Sequence, residues 1–280
     1  MKFAFVTCVQ LGLSCIEKIY EIGGRLDLLI TLHDQKSKKK SGRIYLDDFS
    51  GTHGVELFKI NHINEQEVID KIKEENIDWL FIIGWSQIAN KELLDAPKNG
   101  AIGMHPTLLP EGRGRAAIPW AIIKGLDKTG VTMFKLDDGV DTGDVMGTFE
   151  IPLSKQTTAS DLYEKVNEAH QFLIEKVWDD LVANRLVLTK QNELLATYWE
   201  GRKPEDGLLA ESMTMKDADC LVRATTAPYP GAFFIAENRK VVVWSGYVQE
   251  NKPNDSEITF KLKDGYLLPI KYEIFNNNNG

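Results

Sequence analysis

KFAFVTCVQLGLSCIEKIYEIGGRLDLLITL, Lys2–Leu32, decides the fold class. Lys2–Thr7 is a short, almost wholly apolar run and reads as a buried strand. Leu13–Ile22 reads as a helix, stopped by Gly23 and Gly24. Leu26–Leu32 is a second apolar strand. A strand, a helix and a second strand in this rhythm specify a parallel sheet covered by helices.

The same rhythm continues outward from this stretch. Asn64–Asn76 carries Val68, Ile69 and Ile72 at helical spacing behind a polar start. Trp79–Ile83 is a third strand, running into Gly84–Gln87. Lys91–Leu94 is a short helix, and Ala101–Met104 is a fourth strand. Ala116–Lys124 reads as a helix. Val131–Leu136 and Val145–Ile151 read as strands flanking the acidic turn DDGVDTGD. Ala159–Ala183 is a long amphipathic helix with Thr158 or Ser160 as its cap. The run Lys36–Lys40 is read as a solvated loop. Composition changes near TYWEGRKPEDG, Thr197–Gly207. Beyond it Ala232–Ile235, Lys240–Val248, Glu257–Leu262 and Leu267–Phe275 are short and strand-like, separated by Asn, Gly, Pro and Asp. The expected division is therefore a catalytic domain over residues 1–203 and a small β-rich domain over 204–280.

Composition narrows the function. The chain has 280 residues, 43% of them apolar and 26% charged, with a formal net charge of -8. An acidic chain is a poor generic partner for nucleic acid or an anionic membrane. No apolar run approaches the roughly 20 residues that span a bilayer. The start lacks the hydrophobic region and cleavage site of a signal peptide. Cys8, Cys15 and Cys220 form no disulfide framework and no metal-ligand spacing, so no metal is expected. The expected compartment is the reducing cytoplasm.

Several enzyme signatures are missing. TCVQLGLS, Thr7–Ser14, has one glycine where a dinucleotide fingerprint needs three. No phosphate-binding GxxxxGK[ST], no GxSxG nucleophile elbow and no HExxH occurs. What remains is GMHPTLLPEGRGR, Gly103–Arg115, and LDDGVDTGD, Leu136–Asp144. Each follows an apolar strand of the inferred parallel sheet, where functional groups collect at carboxyl ends. Two neighbouring strand ends would set His105 beside one of Asp137, Asp138, Asp141 or Asp144. A carboxylate next to imidazole fixes its tautomer and stabilises its protonated form, which suits acid–base catalysis. The competing reading is a histidine bound to backbone above a solvated acidic turn.

At these residues a resemblance becomes specific. HPTLLPEGRGR is similar to the H-x-S-L-L-P-x-x-R-G loop of the folate-dependent formyltransferase family. GVTMFKLDDGVDTGDVM resembles that family's motif in which GVT precedes D-x-G by eight residues. RATTAPYPGAF, Arg223–Phe233, resembles a C-terminal signature shared by methionyl-tRNA formyltransferases and some nucleotide-sugar N-formyltransferases. The resemblance implies a Rossmann-like, mostly parallel sheet with flanking helices and a small C-terminal β-rich (OB-like) domain. It implies transfer of a formyl group from N10-formyltetrahydrofolate to an amine, with His105 and Asp141 as the catalytic pair. It implies folate contacts along Trp85, Ser86, Gln87 and Ile88 and along Gly139, Val140 and Thr142.

One position departs from the family. The residue two before the histidine is usually asparagine, an oxyanion donor, and here it is Gly103. Loss of such a donor typically costs about 10²–10³ in rate. Candidates to replace it are Ser86, Gln87, Asn90 and the backbone amide near Met104.

The acceptor is read from charge. Glu205–Gly280 carries 8 Lys and Arg against 11 Asp and Glu. A domain that grips tRNA should be basic. The expectation is a nucleotide-linked amino-deoxy sugar as acceptor, of the kind used in lipopolysaccharide biosynthesis. Tyr198 and Trp199 are candidates for stacking on it, with Arg202 or Lys203 for a diphosphate and Arg113 or Arg115 for a further grip. Methionyl-tRNA as acceptor, a hydrolase releasing formate and a folate binder without catalysis stay open. Sugar formyltransferases are often dimers, which makes a homodimer through the C-terminal strands an expectation by analogy.

Overall fold

The computed structural model describes residues 1–37, 42–252 and 258–276. In chain order the elements are β1 (Phe3–Val6), α1 (Gln10–Glu21), β2 (Leu28–Leu32), α2 (Asp34–Ser37), α3 (Asp47–His53), β3 (Glu56–Ile60), α4 (Gln66–Glu74) and β4 (Trp79–Ile82). There follow α5 (Lys91–Leu94), β5 (Gly100–His105), β6 (Arg113–Gly114), α6 (Ala117–Ile123), β7 (Lys128–Lys135), β8 (Val145–Pro152) and α7 (Ala159–Val182). The last are β9 (Tyr198–Trp199), α8 (Met215–Thr225), β10 (Ala232–Ala236), β11 (Arg239–Gln249), β12 (Phe260–Lys261) and β13 (Tyr266–Asn276). Most of the expected run Lys36–Lys40 lies outside the described residues, as does Glu257.

Two compact units divide the chain. The first is Met1–Arg113, Gly130–Glu150 and Val166–Tyr198; the second is Gly114–Thr129, Ile151–Lys165 and Trp199–Gly280. The central sheet has the order β3-β2-β1-β4-β5-β7-β8. The five strands from β3 to β5 are parallel. Building proceeds outward from β1 on both sides, which places a crevice at the carboxyl ends of β1 and β4.

Burial of both faces explains the continuous apolar strands. Ala4 and Val6 join one core cluster with Leu28, Ile30, Ile69 and Leu80. Phe3 and Phe5 point to the other face, where Phe3 and Phe81 pack on Trp178 of α7, with ring centroids 4.8 and 6.4 Å away. A Cβ on Gly24 would lie 2.5 Å from that indole, so the turn after α1 needs glycine.

Besides α3 and β3, which the sequence reading did not place, three features differ from it. First, α1 starts at Gln10 rather than Leu13, because the Val9 carbonyl accepts from the Gly12 and Leu13 amides. Second, β7 runs antiparallel to β5, pairing Ile102 with Lys135 and His105 with Thr132. The carboxyl end of β7 therefore lies beside the start of β5, not beside its end. Third, α8 is a helix that the apolar pattern of the second domain did not suggest. Its start is a capping box, with the Thr214 hydroxyl accepting from the Asp217 amide and the Asp217 carboxylate accepting from Thr214. Its face of Ala218, Leu221 and Val222 joins Phe234, Val241, Val243 and Leu267 in the core of the second unit. Around that core the antiparallel sheet has the order β10-β11-β13-β12. The cap of α7 is Thr158, whose hydroxyl meets the Asp161 amide at 3.2 Å, while Ser160 bonds the Ala227 carbonyl instead.

Candidate active site

His105 is the last residue of β5 and is buried, at 8% exposure. Strand pairing with Thr132 sets its backbone. The Thr132 hydroxyl then donates to the Thr107 carbonyl (2.7 Å) and accepts from the Leu109 amide (3.0 Å), which fixes the turn that follows. The His105 Nε2 lies 2.8 Å from the Gly112 carbonyl. A carbonyl only accepts, so Nε2 carries a proton, and in the neutral form of the ring the lone pair lies on Nδ1.

Asp141 stands at that lone pair, with Oδ2 3.6 Å from Nδ1. The two meet although β7 is antiparallel to β5, because the loop after β7 turns back. Asp137 makes this turn, accepting from the Gly139 amide (3.1 Å) and the Thr142 hydroxyl (2.6 Å). Asp141 sits at φ +55°, a left-handed conformation that costs energy in a residue with a Cβ. Asp138 faces away, toward Lys91 at 3.8 Å. Of the four candidate carboxylates, the structure places Asp141 against the histidine. The tautomer is set by the Gly112 carbonyl rather than by the carboxylate, which corrects the sequence reading.

Arg113 is also placed differently from expectation. Its side chain is fully buried, bonding both Glu193 oxygens, the Gln191 carboxamide oxygen (2.8 and 3.2 Å) and the Tyr198 hydroxyl (2.9 Å). The Glu193 carboxylate holds this guanidinium protonated far above its ordinary range, and Arg113 in turn lowers the Glu193 carboxyl. A cation so enclosed is a brace and cannot grip an acceptor. Tyr198 is 60% exposed but spends its hydroxyl on Arg113. Arg115 is the exposed arginine of the pair. In the second unit, Arg202 stacks on the Trp120 ring at 5.0 Å and donates to the Asp206 carbonyl (2.7 Å). Arg202 and Lys203 line a cavity of about 140 Å³ with Tyr229 and Pro119. Trp199 accepts from the Arg115 amide and lies 5.9 Å from Lys124.

The loop after β4 is held by two carboxamides. Gln87 accepts from the Ile63 amide (2.8 Å) and donates to the Asn61 carbonyl (3.1 Å). Asn64 binds the Ile88 carbonyl (2.9 Å) and the Asn90 amide (2.9 Å). Asn90 caps α5 through the Leu93 amide. Gln87 thus ties this loop to the segment after β3, and Asn90 spends its side-chain oxygen on the cap of α5. The space beside Gly103 holds Leu136: a Cβ on Gly103 would lie 2.7 Å from its Cδ2. Leu136 packs with Trp85, Ile82 and Ala89 on the core cluster.

Sequence reasoning missed Gln191 and His170. Gln191 donates to the Asp141 and Gly143 carbonyls, each at 2.8 Å. His170, on α7, is buried, gives Nδ1–H to the Val166 carbonyl (2.7 Å), and is held neutral by burial, down to about 4. Among the described residues no group of three or more His, Cys, Asp or Glu could hold a metal ion. No helix of the described residues is long and apolar enough to cross a membrane.

The chain matches the formyl transferase family over residues 23–177 and the formyl transferase C-terminal domain over residues 202–272. It belongs to the formyl transferase family. A methionyl-tRNA formyltransferase of Ruminiclostridium cellulolyticum is 29% identical to it over 282 residues, covering 96% of this chain and 90% of the relative. The fold is that of WlaRD, a sugar 3N-formyl transferase solved in the presence of dTDP and 5-N-formyl-THF. The TM-score is 0.72 at 16% identity, covering 99% of this chain and 98% of WlaRD. The N-formyltransferase of Helicobacter canadensis, solved with folinic acid and dTDP-3-aminofucose, gives a TM-score of 0.71 at 15% identity, covering 98% and 100%.

In this formyltransferase the Nε2 of His105 is anchored on the Gly112 carbonyl, and its Nδ1 faces the Asp141 carboxylate. Ile88 (86% exposed) and Val140 (59% exposed) present apolar side chains on the two loops joined by the Lys91–Asp138 pair.

Proposed function

We propose that this formyltransferase moves a formyl group from N10-formyltetrahydrofolate to the amino group of a nucleotide-linked amino-deoxy sugar. His105 and Asp141 are the catalytic pair. The bound folate supplies the formyl carbon and a nitrogen leaving group. His105 Nδ1 takes the proton that the amine loses as its nitrogen bonds to that carbon, and returns it to the departing nitrogen. Asp141 stabilises the ring while it holds that proton. The exposed apolar side chains of Ile88 and Val140 fit a flat ring lying between the two loops. Trp85, Ser86, Gly139 and Thr142 belong to the same two loops, whose backbone would meet the pterin.

The charge of the C-terminal domain carries the choice of acceptor. With 8 basic against 11 acidic side chains over Glu205–Gly280, it lacks the footprint of a tRNA-binding module. The ligands named for WlaRD and for the Helicobacter enzyme agree with a sugar nucleotide. Trp199, Arg202, Lys203 and exposed Arg115 remain the residues assigned to the acceptor. The identity to a methionyl-tRNA formyltransferase favours a second reading, methionyl-tRNA as acceptor.

Calorimetry with dTDP, UDP and GDP, beside a gel shift with initiator tRNA, separates the two. Binding of one nucleotide without a tRNA shift is expected. A tRNA shift at lower protein concentration than any nucleotide response would overturn the sugar reading.

A further inference from the structure

We infer that Gln191 is a positioning residue: its carboxamide fastens the loop that presents Asp141 to His105, and Arg113 fastens the carboxamide. The inference rests on the formyl-transfer reading for the role of Asp141, and on the hydrogen bonds of Gln191 for the fastening.

The four hydrogen bonds of the carboxamide admit one orientation. Arg113 has donors only, so Gln191 must turn Oε1 to its Nε (3.2 Å) and Nη2 (2.8 Å). The two hydrogens on Nε2 are then left for the carbonyls of Asp141 and Gly143, both at 2.8 Å. The first carbonyl belongs to the peptide between Asp141 and Thr142, and the second to the peptide between Gly143 and Asp144. Holding both fixes the chain where Asp141 takes φ +55°. A conformation of that kind is unfavourable for a residue with a Cβ and persists only where its surroundings impose it. Gln191 contributes to this from outside the loop.

The same strut reaches the other side of the catalytic pair. Arg113 follows Gly112, whose carbonyl anchors His105 Nε2 and whose amide donates to the Thr197 hydroxyl (2.8 Å). Arg113 N donates to the Thr197 carbonyl (2.9 Å). Just before Gln191, Thr189 and Val145 exchange backbone hydrogen bonds (2.8 and 2.9 Å), so the segment is registered against the far end of the aspartate loop. Residues 189–198 therefore tie both loops to one brace, and Gln191 is the knot on the aspartate side.

Gln191→Glu isolates this role. It keeps the size of the side chain and its pairing with Arg113, but aims a carboxylate oxygen at two carbonyls. The expected result is a kcat lower by about 10- to 100-fold, with KM for donor and acceptor within about twofold. On an Asp141→Ala background the same substitution should lower kcat by less than about threefold, since the positioned group is gone. Hydrogen exchange of residues 139–144 should be faster in Gln191→Glu than in the parent protein. That measurement needs no turnover, so it reads the fastening even if the reaction is not formyl transfer. Should Gln191→Glu fail to fold, Gln191→Met removes both donors without adding charge. Unchanged exchange of 139–144, full activity, or equal losses on both backgrounds would each overturn the inference.

Discussion

Leu136 fills the space that a side chain at position 103 would need: the ideal Cβ of Gly103 falls 2.7 Å from Leu136 Cδ2 and 3.1 Å from its Cγ. Residues 103 and 105 alternate onto the same side of β5, so this space adjoins His105. In the resembled family an asparagine donor stands there; here an isobutyl group does.

This relation predicts the outcome of Gly103→Asn. The carboxamide meets Leu136, so the single variant should lose stability by about 1–3 kcal/mol through overpacking and should turn over more slowly. Gly103→Asn with Leu136→Ala should recover stability relative to Gly103→Asn alone. Urea melts and initial rates of the three proteins check this. A faster single variant would mean that Leu136 yields the space freely.

Asp141→Asn should lower kcat by about 10²–10⁴, within the range for acid–base groups, and His105→Ala by at least as much. The double variant should be little worse than His105→Ala, because both groups act on one proton. Steady-state rates of the four proteins test the pairing. Additive losses would separate the two residues.

Arg113→Lys is not a conservative change in this chain. An ammonium cannot span Glu193, Gln191 and Tyr198 together. Stability should fall by about 1–3 kcal/mol, through partners left unsatisfied, while KM for the acceptor stays put. A raised acceptor KM with an unchanged melt would instead make Arg113 a substrate ligand.

Stability should also depend on pH through His170. Burial holds its folded-state pKa near 4 against an ordinary 6.5. Between those values the unfolded chain binds the proton and the native chain does not. Stability is therefore full above about pH 6.5 and falls as pH drops toward 4, by a few kcal/mol at most. Thermal melts at pH 7 and pH 5 should differ less in His170→Gln than in the parent. An equal difference would place the acid sensitivity elsewhere.

Much of the architecture was legible because β1, β2 and β4 are continuous apolar runs, which only a sheet buried on both faces uses. The reversal of β7 was not legible, since an apolar strand carries no mark of its direction. Helix α8 was: Thr214 and Asp217 spell a capping box, but short strands around it drew the reading to β structure. His105 and Asp141 stood out through motif spacing. Gln191 gave no signal, because its partners Asp141 and Arg113 lie 50 and 78 residues away. Arg113 looked like a ligand because sequence shows a charge but not the Glu193 that neutralises it.

Turnover tests the proposed folate-to-sugar formyl transfer by His105 and Asp141. The protein is incubated with N10-formyltetrahydrofolate and a panel of dTDP-, UDP- and GDP-linked amino sugars, with methionyl-tRNA alongside, and tetrahydrofolate release is followed. Release is expected with at least one sugar nucleotide, with loss of that release in His105→Ala and none with methionyl-tRNA. Formylation of methionyl-tRNA with no sugar accepted, or full turnover by His105→Ala, would contradict it.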